Sequence, residues 1–287
     1  MAIVTDLDHV GVGVRDLAAA ARTYERLGFT LTPYARHAGA VEPGGPTVPR
    51  ATGNRCAMLN EGYIELIAVV DPSLPSGGMY AHIAGREGGH IAAFGCAETK
   101  AADAYLRGAG FTSRGSLYLE RMVDTPEGKV LAKFERVPVA PHETPEGVVF
   151  YIKHLTRAAL WQPQFLSHAN GALALSEILF HVADLNEAAA RYARFFDLTP
   201  TGSGGTRRLV FPCGALVLSD AAGVPRANAA PAPSIAGITV KTSSIAAVRR
   251  LLDAAADESG VTYDHAQSRI VVAPESAHGI CLSFEQA

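Results

Sequence analysis

Three side chains in this sequence are of types that do chemistry and lie where a fold could hold them. His9 opens the alternating stretch His9-Val10-Gly11-Val12-Gly13-Val14, and His90 opens a similar one, Gly89-His90-Ile91-Ala92-Ala93-Phe94. Glu65 sits inside Tyr63-Ile64-Glu65-Leu66-Ile67-Ala68-Val69-Val70, where a carboxylate among branched apolar residues needs a compensating partner. Two neutral imidazoles and a carboxylate are a good ligand set for Fe(II), Mn(II), Zn(II) or Ni(II), and that set leaves positions open for a substrate. The plainer alternative stands beside it: strand-start histidines that only hydrogen-bond, and Glu65 on the solvent face of an edge strand. With ten histidines in the chain, coincidences are expected. His37, His82, His142, His168, His181, His265 and His278 read as surface or capping residues.

The elements that must position these groups repeat along the chain. His9 to Val14 has the period of a strand with one buried face. Asp16 then stands as an N-cap before the helix former Leu17-Ala18-Ala19-Ala20-Ala21-Arg22, Gly28 ends that helix, and Phe29 to Thr32 reads as a new strand. A Gly/Pro-rich loop from Gly39 to Pro49 leads to a hairpin of residues 55–59 and 63–70, turning at Asn60-Glu61-Gly62. The order is β-α-β-β-β. A second unit has its strand from Gly89, a helix from Thr99, and strands at 112–120, 129–137 and 148–154. A third starts at Leu175 and enters its helix at Asp184-Leu185, with strands at 209–212 and 215–218. An Ala/Pro-rich separator from Ala221 to Pro233 precedes a fourth, with strands at 238–241, 270–272 and 279–284 around a helix from Ile245. The linker between halves reads as Thr156 to Gly171.

This pattern resembles the vicinal-oxygen-chelate superfamily, specifically its glyoxalase-like members. The carrying residues are Leu7-Asp8-His9-Val10-Gly11-Val12, Asp16-Leu17, Leu27-Gly28-Phe29, and Thr52-Gly53-Asn54-Arg55 leading to Gly62-Tyr63-Ile64-Glu65. The resemblance implies an α+β fold of four βαβββ modules in two cupped-sheet domains, residues 1–160 with the site and a degenerate copy at 161–287. It also implies a divalent metal inside the first cup, chelating two adjacent oxygens of a small-molecule substrate. Its ligand positions fall on His9, Glu65, His90 (one residue being inserted before the second helix) and Lys153 or His154. His154 is preferred, because Lys153 would bring a positive charge to a cation site. Glu65 and His154 then become the candidate catalytic residues. Arg36, Asn54 and Arg55, in or beside the Gly/Pro-rich loop, are candidate substrate contacts through forked hydrogen bonds, or ordinary polar loop-edge groups. Glu177 stands opposite His9 in the third unit, so the second half offers no matching ligand set and would serve structure, dimerisation or pocket closure.

Two activities follow: a metal-dependent lyase, isomerase or dioxygenase, or a metal-free small-molecule-binding protein of the bleomycin-resistance type. Lys153 or His154 stands where a glyoxalase I-type isomerase carries a glutamate, which argues against lactoylglutathione lyase activity. The 287 residues, 48% hydrophobic, suffice for about two domains. A net charge of −3 gives no footprint for nucleic acid or an anionic membrane. Four dispersed cysteines without a Cys-x-x-Cys pair, a start without a basic leader and no bilayer-length apolar run lead to the expectation of a cytoplasmic protein, with a homodimer as one expected assembly. There is no Gly-x-Ser-x-Gly elbow, phosphate loop or Gly-x-Gly-x-x-Gly fingerprint, so hydrolase and nucleotide-binding functions lose their main support.

Overall fold

The computed structural model describes residues 3–76, 78–221, 230–266 and 268–287. β1 (Val4–Gly13) feeds α1 (Leu17–Arg26), which starts where the Asp16 carboxylate accepts the Ala19 N–H at 2.9 Å. Ala20, Ala21 and Tyr24 form the buried stripe of α1. Then come β2 (Ala35–Ala40), β3 (Thr47–Met58), β4 (Tyr63–Val69) and the short α2 (Met79–Gly85). The second unit is β5 (Gly88–Cys96), α3 (Thr99–Gly108), β6 (Leu117–Thr125), β7 (Gly128–Pro138) and β8 (Val148–His154).

These eight strands close on themselves. Going round, β1 pairs parallel with β4; β4–β3, β3–β2, β2–β6, β6–β7 and β7–β8 are antiparallel; β8 pairs parallel with β5, and β5 returns antiparallel to β1. The β2–β6 seam is the thinnest, with Ala38 opposite Glu120 and Gly39 opposite Leu119. Closure removes edges and creates a lumen, and the two-residue period of each strand decides which side chains enter it. Tyr63, Ile67, Ile91, Phe134, Phe150 and Ile152 fill an inner apolar cluster, while Val10, Val12, Ile64, Leu66 and Phe94 join a larger outer one under the helices.

The rest of the chain builds against this ring: β9 (Ala172–His181), α4 (Leu185–Phe196), β10 (Thr206–Val210), β11 (Ala215–Ser219), β12 (Ser234–Thr242), α5 (Ile245–Ser259), β13 (Tyr263–Ala266), β14 (Arg269–Val272) and β15 (Cys281–Gln286). β9 and β12 pair antiparallel at its centre, β11 and β15 flank them in parallel, and Ile235 of β12 bridges to Gly89 of β5. A buried fork joins the halves: Arg191 of α4 donates to both Glu146 oxygens at 2.9 and 3.0 Å, and Tyr192 donates its hydroxyl to the same carboxylate at 2.6 Å.

The structure differs from the sequence expectations in local ways. No strand forms at residues 29–32; Thr32 instead spends its N–H and hydroxyl on Cys56, and the strand falls at 35–40. The Gly/Pro-rich loop from Gly39 to Pro49 is mostly a hairpin, turning where the Gly45 N–H meets the Glu42 carbonyl. α2 was not anticipated, being seven residues without a side-chain cap. Most of the Ala221–Pro233 separator lies outside the described residues.

Candidate functional site

The lumen holds a cavity of about 130 Å³. Its polar lining comes from His9, His37, Arg50, Thr52, Glu65, Glu120, Arg121 and Arg136, and its apolar walls include Ile91, Leu119, Phe134 and Phe150. Alternation accounts for most of this. Arg50 and Thr52 on β3, Tyr63, Glu65 and Ile67 on β4, Leu119 and Arg121 on β6, and Phe134 and Arg136 on β7 are each two apart. Gly11, two residues after His9, has no side chain to contribute. A Cβ there would stand 2.7 Å from the Ile91 Cβ, so the glycine admits Ile91 to the lumen.

A bulge sets the histidine. Leu7 pairs with Phe94 and His9 with Ala93, leaving Asp8 as the extra residue, and its carboxylate turns back into the ring. His9 Nδ1 lies 2.7 Å from Asp8 Oδ1, and His154 Nε2 lies 3.0 and 2.9 Å from the two Asp8 oxygens. Burial opposes the Asp8 charge most strongly, but His154 and His9 outweigh it and hold its carboxyl far below the usual range. An ionised carboxylate only accepts, so both imidazoles donate to it. The His9 ring, stacked 4.4 Å from Tyr63, presents its Nε2 to the cup, 4.0 Å from Glu65 Oε2.

Glu65 is held on its other oxygen. Asn54 Nδ2 donates to Oε1 at 2.5 Å, with His37 Nε2 at 3.5 Å and Arg121 Nη1 at 3.9 Å. Burial pushes its pKa up, but His37, His9, Arg121 and Asn54 together bring it below the ordinary glutamate value. His37 is driven the other way. Burial foremost, with Arg121, Arg136 and His9 adding and Glu65 opposing, lowers it to about 4. Neutral at pH 7, it accepts from Arg121 Nη1 at 3.2 Å and donates from Nδ1 to the Thr52 hydroxyl at 2.8 Å.

The guanidinium groups are less well matched. Arg50 Nη1, Arg121 Nε and Arg136 Nε are buried without a hydrogen-bond partner among the described residues. Arg136 lies 5.3 Å over the Phe150 ring, and burial, then Arg50, lower its pKa to about 10. Three cationic groups against two carboxylates leave the cup short of negative charge.

The other sequence candidates are elsewhere. His90 is the extra residue of a second bulge, between the Gly11–Ile91 and Val12–Gly89 pairs. Its ring rests on Gly13, lies 5.5 Å from His82, and donates from Nε2 to the Arg86 carbonyl at 2.9 Å, so it does not line the cup. His154 points to the opposite end of the ring, against Trp161 and beside a second cavity of about 270 Å³, while Lys153 turns away to Glu98 at 2.6 Å. Arg36 is exposed and paired with Asp71 at 2.7 Å; Arg55 is engaged by the Thr32 carbonyl and Glu25. Neither reaches the lumen. Asn54 does, as a support for Glu65. Trp161 donates to the Leu59 carbonyl at 2.9 Å, pinning the 156–171 segment to the ring. His168, read as a surface residue, is buried between the Thr30 N–H and the Met58 carbonyl.

A model of the glyoxalase-like domain matches residues 7–196. The chain belongs to that family, within the vicinal-oxygen-chelate superfamily. No curated protein matches it in sequence. Among solved structures, a hypothetical protein from Staphylococcus aureus is similar with a TM-score of 0.64 at 12% identity, covering 98% of this chain and 99% of that one. A mutant of 4-hydroxymandelate synthase from Streptomyces coelicolor gives 0.56 at 11% (99% and 93%), and a catechol 2,3-dioxygenase 0.53 at 12% (99% and 88%). At these identities the likeness is one of fold.

The expected metal can be tested against the donors the glyoxalase-like ring provides. Among the described residues, no three His, Cys, Asp or Glu side chains converge on a point that could hold a metal ion. Of the four predicted ligands only His9 and Glu65 face each other. The next nearest nitrogen, His37 Nε2, is occupied by Arg121, whose guanidinium already supplies the positive charge beside Glu65. The residues present do not fit a chelated divalent cation.

Proposed function

We propose that this protein binds a small organic anion inside the eight-stranded ring without a metal, as a small-molecule-binding member of its superfamily. The observation that carries this is the set of buried guanidinium groups lining the cup with N–H groups unpartnered among the described residues, next to a Glu65 that Asn54 and Arg121 already serve. A buried donor left unmatched costs about 1–3 kcal/mol, more when charged, so an anion that satisfies Arg136 and Arg50 gains those hydrogen bonds. The apolar walls Phe134, Phe150, Leu119 and Ile91 would take the ligand's body. In this reading residues 1–160 are one glyoxalase-like domain carrying the site, and residues 161–287 a second that buttresses it.

Calorimetric titration with benzoate, against benzylamine as the cationic counterpart, tests the reading, with elemental analysis of protein purified without chelator or tag. Benzoate is expected to bind at one site and benzylamine not at all, with Arg136→Gln weakening benzoate about ten-fold or more. Near-stoichiometric metal that disappears in a His9→Ala variant would overturn it in favour of a metal-dependent lyase or dioxygenase.

A further inference from the structure

The anion-binding wall is only one pole of the cup; the other is built from His9 and Glu65. His9 Nε2 and Glu65 Oε2 both line the cavity, 4.0 Å apart, too far for a hydrogen bond to each other, and neither has another hydrogen-bond partner among the described residues. Asp8 accepts from Nδ1 and so turns the other ring nitrogen inward. A hydroxyl is both donor and acceptor, so one placed between them can donate to Glu65 Oε2 and pair with His9 Nε2. Phe150 connects the poles. Its ring carries the Arg136 guanidinium at 5.3 Å and meets the His9 ring edge-on at 5.9 Å, so an occupant reaching from one to the other lies along an aromatic face. The cavity of about 130 Å³ is close to the size of an apolar cavity that admits benzene, about 150 Å³, which limits the body to a single ring.

We propose that the ligand is a single-ring hydroxylated carboxylate, its carboxylate held by Arg136 and Arg50 and its hydroxyl donating to Glu65 while hydrogen-bonded to His9 Nε2. This rests on the anion-binding reading and adds to it the requirement for a hydroxyl.

The test compares benzoate with 2-, 3- and 4-hydroxybenzoate by calorimetric titration of the full chain. At least one hydroxybenzoate is expected to bind about ten-fold or more tightly than benzoate, the weight of one hydrogen bond to a charged acceptor. Glu65→Gln should reduce the ratio of hydroxybenzoate to benzoate affinity at least three-fold. The wild-type comparison needs no variant and stands even if Glu65→Gln fails to fold. If benzoate binds as tightly as all three hydroxybenzoates, the hydroxyl requirement is wrong and the anion-binding reading survives. If none of the four binds, both are wrong.

Discussion

Acidifying the protein from pH 7 to pH 4.5 should unfold it through two buried imidazoles. His37 and His90 are each lowered to about 4, chiefly by burial, against an ordinary value of 6.5. For both, the unfolded chain takes up the proton first. Stability is therefore at its full level above pH 6.5, falls as pH drops from 6.5 to 4, and levels off below that for these two groups. Near pH 5 the unfolded state binds about two more protons than the folded one, giving a slope of about 2.7 kcal/mol per pH unit. Across the window each imidazole accounts for on the order of 3 kcal/mol, less for His37, whose side chain is 19% exposed to solvent. His82 and His168 are shifted in the same direction by burial and steepen the fall. Asp8 and Glu65, held below their ordinary values, lose their contribution at lower pH and do not offset it. Urea unfolding at half-unit pH steps measures the slope. His37→Gln and His90→Gln should each remove about 1.4 kcal/mol per pH unit of it. A stability profile flat between pH 7 and 4.5, or a slope unchanged in the double variant, would refute the reasoning.

Other perturbations have equally definite outcomes. Glu146→Gln leaves buried Arg191 with Glu187 at 3.0 Å and the Glu143 carbonyl at 3.1 Å, and should cost about 3 kcal/mol in urea unfolding, the low end for one half of a buried ion pair. Gly11→Ala drives a methyl into Ile91 and should cost about 1–3 kcal/mol in the same assay. Arg36→Ala and Arg55→Ala should leave benzoate affinity within two-fold of wild type by titration, since both side chains are engaged outside the ring, and Arg36→Ala should change stability by less than about 1 kcal/mol.

What the sequence made legible is what strand and helix periods carry. The β-α-β-β-β order of the first two units, the Asp16 cap and the placing of His9 and Glu65 on the first and last strands of the first unit all follow from local pattern. The orientation of His90 and the role of Asp8 escaped because each is the extra residue of a bulge, and a bulge breaks the alternation on which orientation was argued. Arg50, Arg121 and Arg136 escaped for another reason. The motif Thr52-Gly53-Asn54-Arg55 drew attention to arginines beside a loop, whereas those that matter sit at inward positions of regular strands. The signal was available at Arg121, where Leu119-Glu120-Arg121-Met122-Val123 puts a cation in phase with Leu119 and Val123. His37 was set aside as a surface residue because nothing local tells that β2 will be covered by β6.

That covering decides the sign of the cup. His9, Glu65 and Asn54 come from strands of the first unit, and taken alone they describe an electron-rich hollow to which a cation would be drawn. Closure of β2 on β6 brings Arg121, more than fifty residues on in sequence, within 3.9 Å of Glu65, while Arg136 lies over Phe150 of the neighbouring strand β8. Glu65 thus has a guanidinium beside it, with Asp8 tying the His9 imidazole and Arg121 that of His37. The same inward positions of a closed eight-stranded ring can present donors to a cation or guanidinium groups to an anion. In this chain the second unit's strands contribute Arg121 and Arg136, beside Arg50 from β3, and the proposed binding of an anion rests on them.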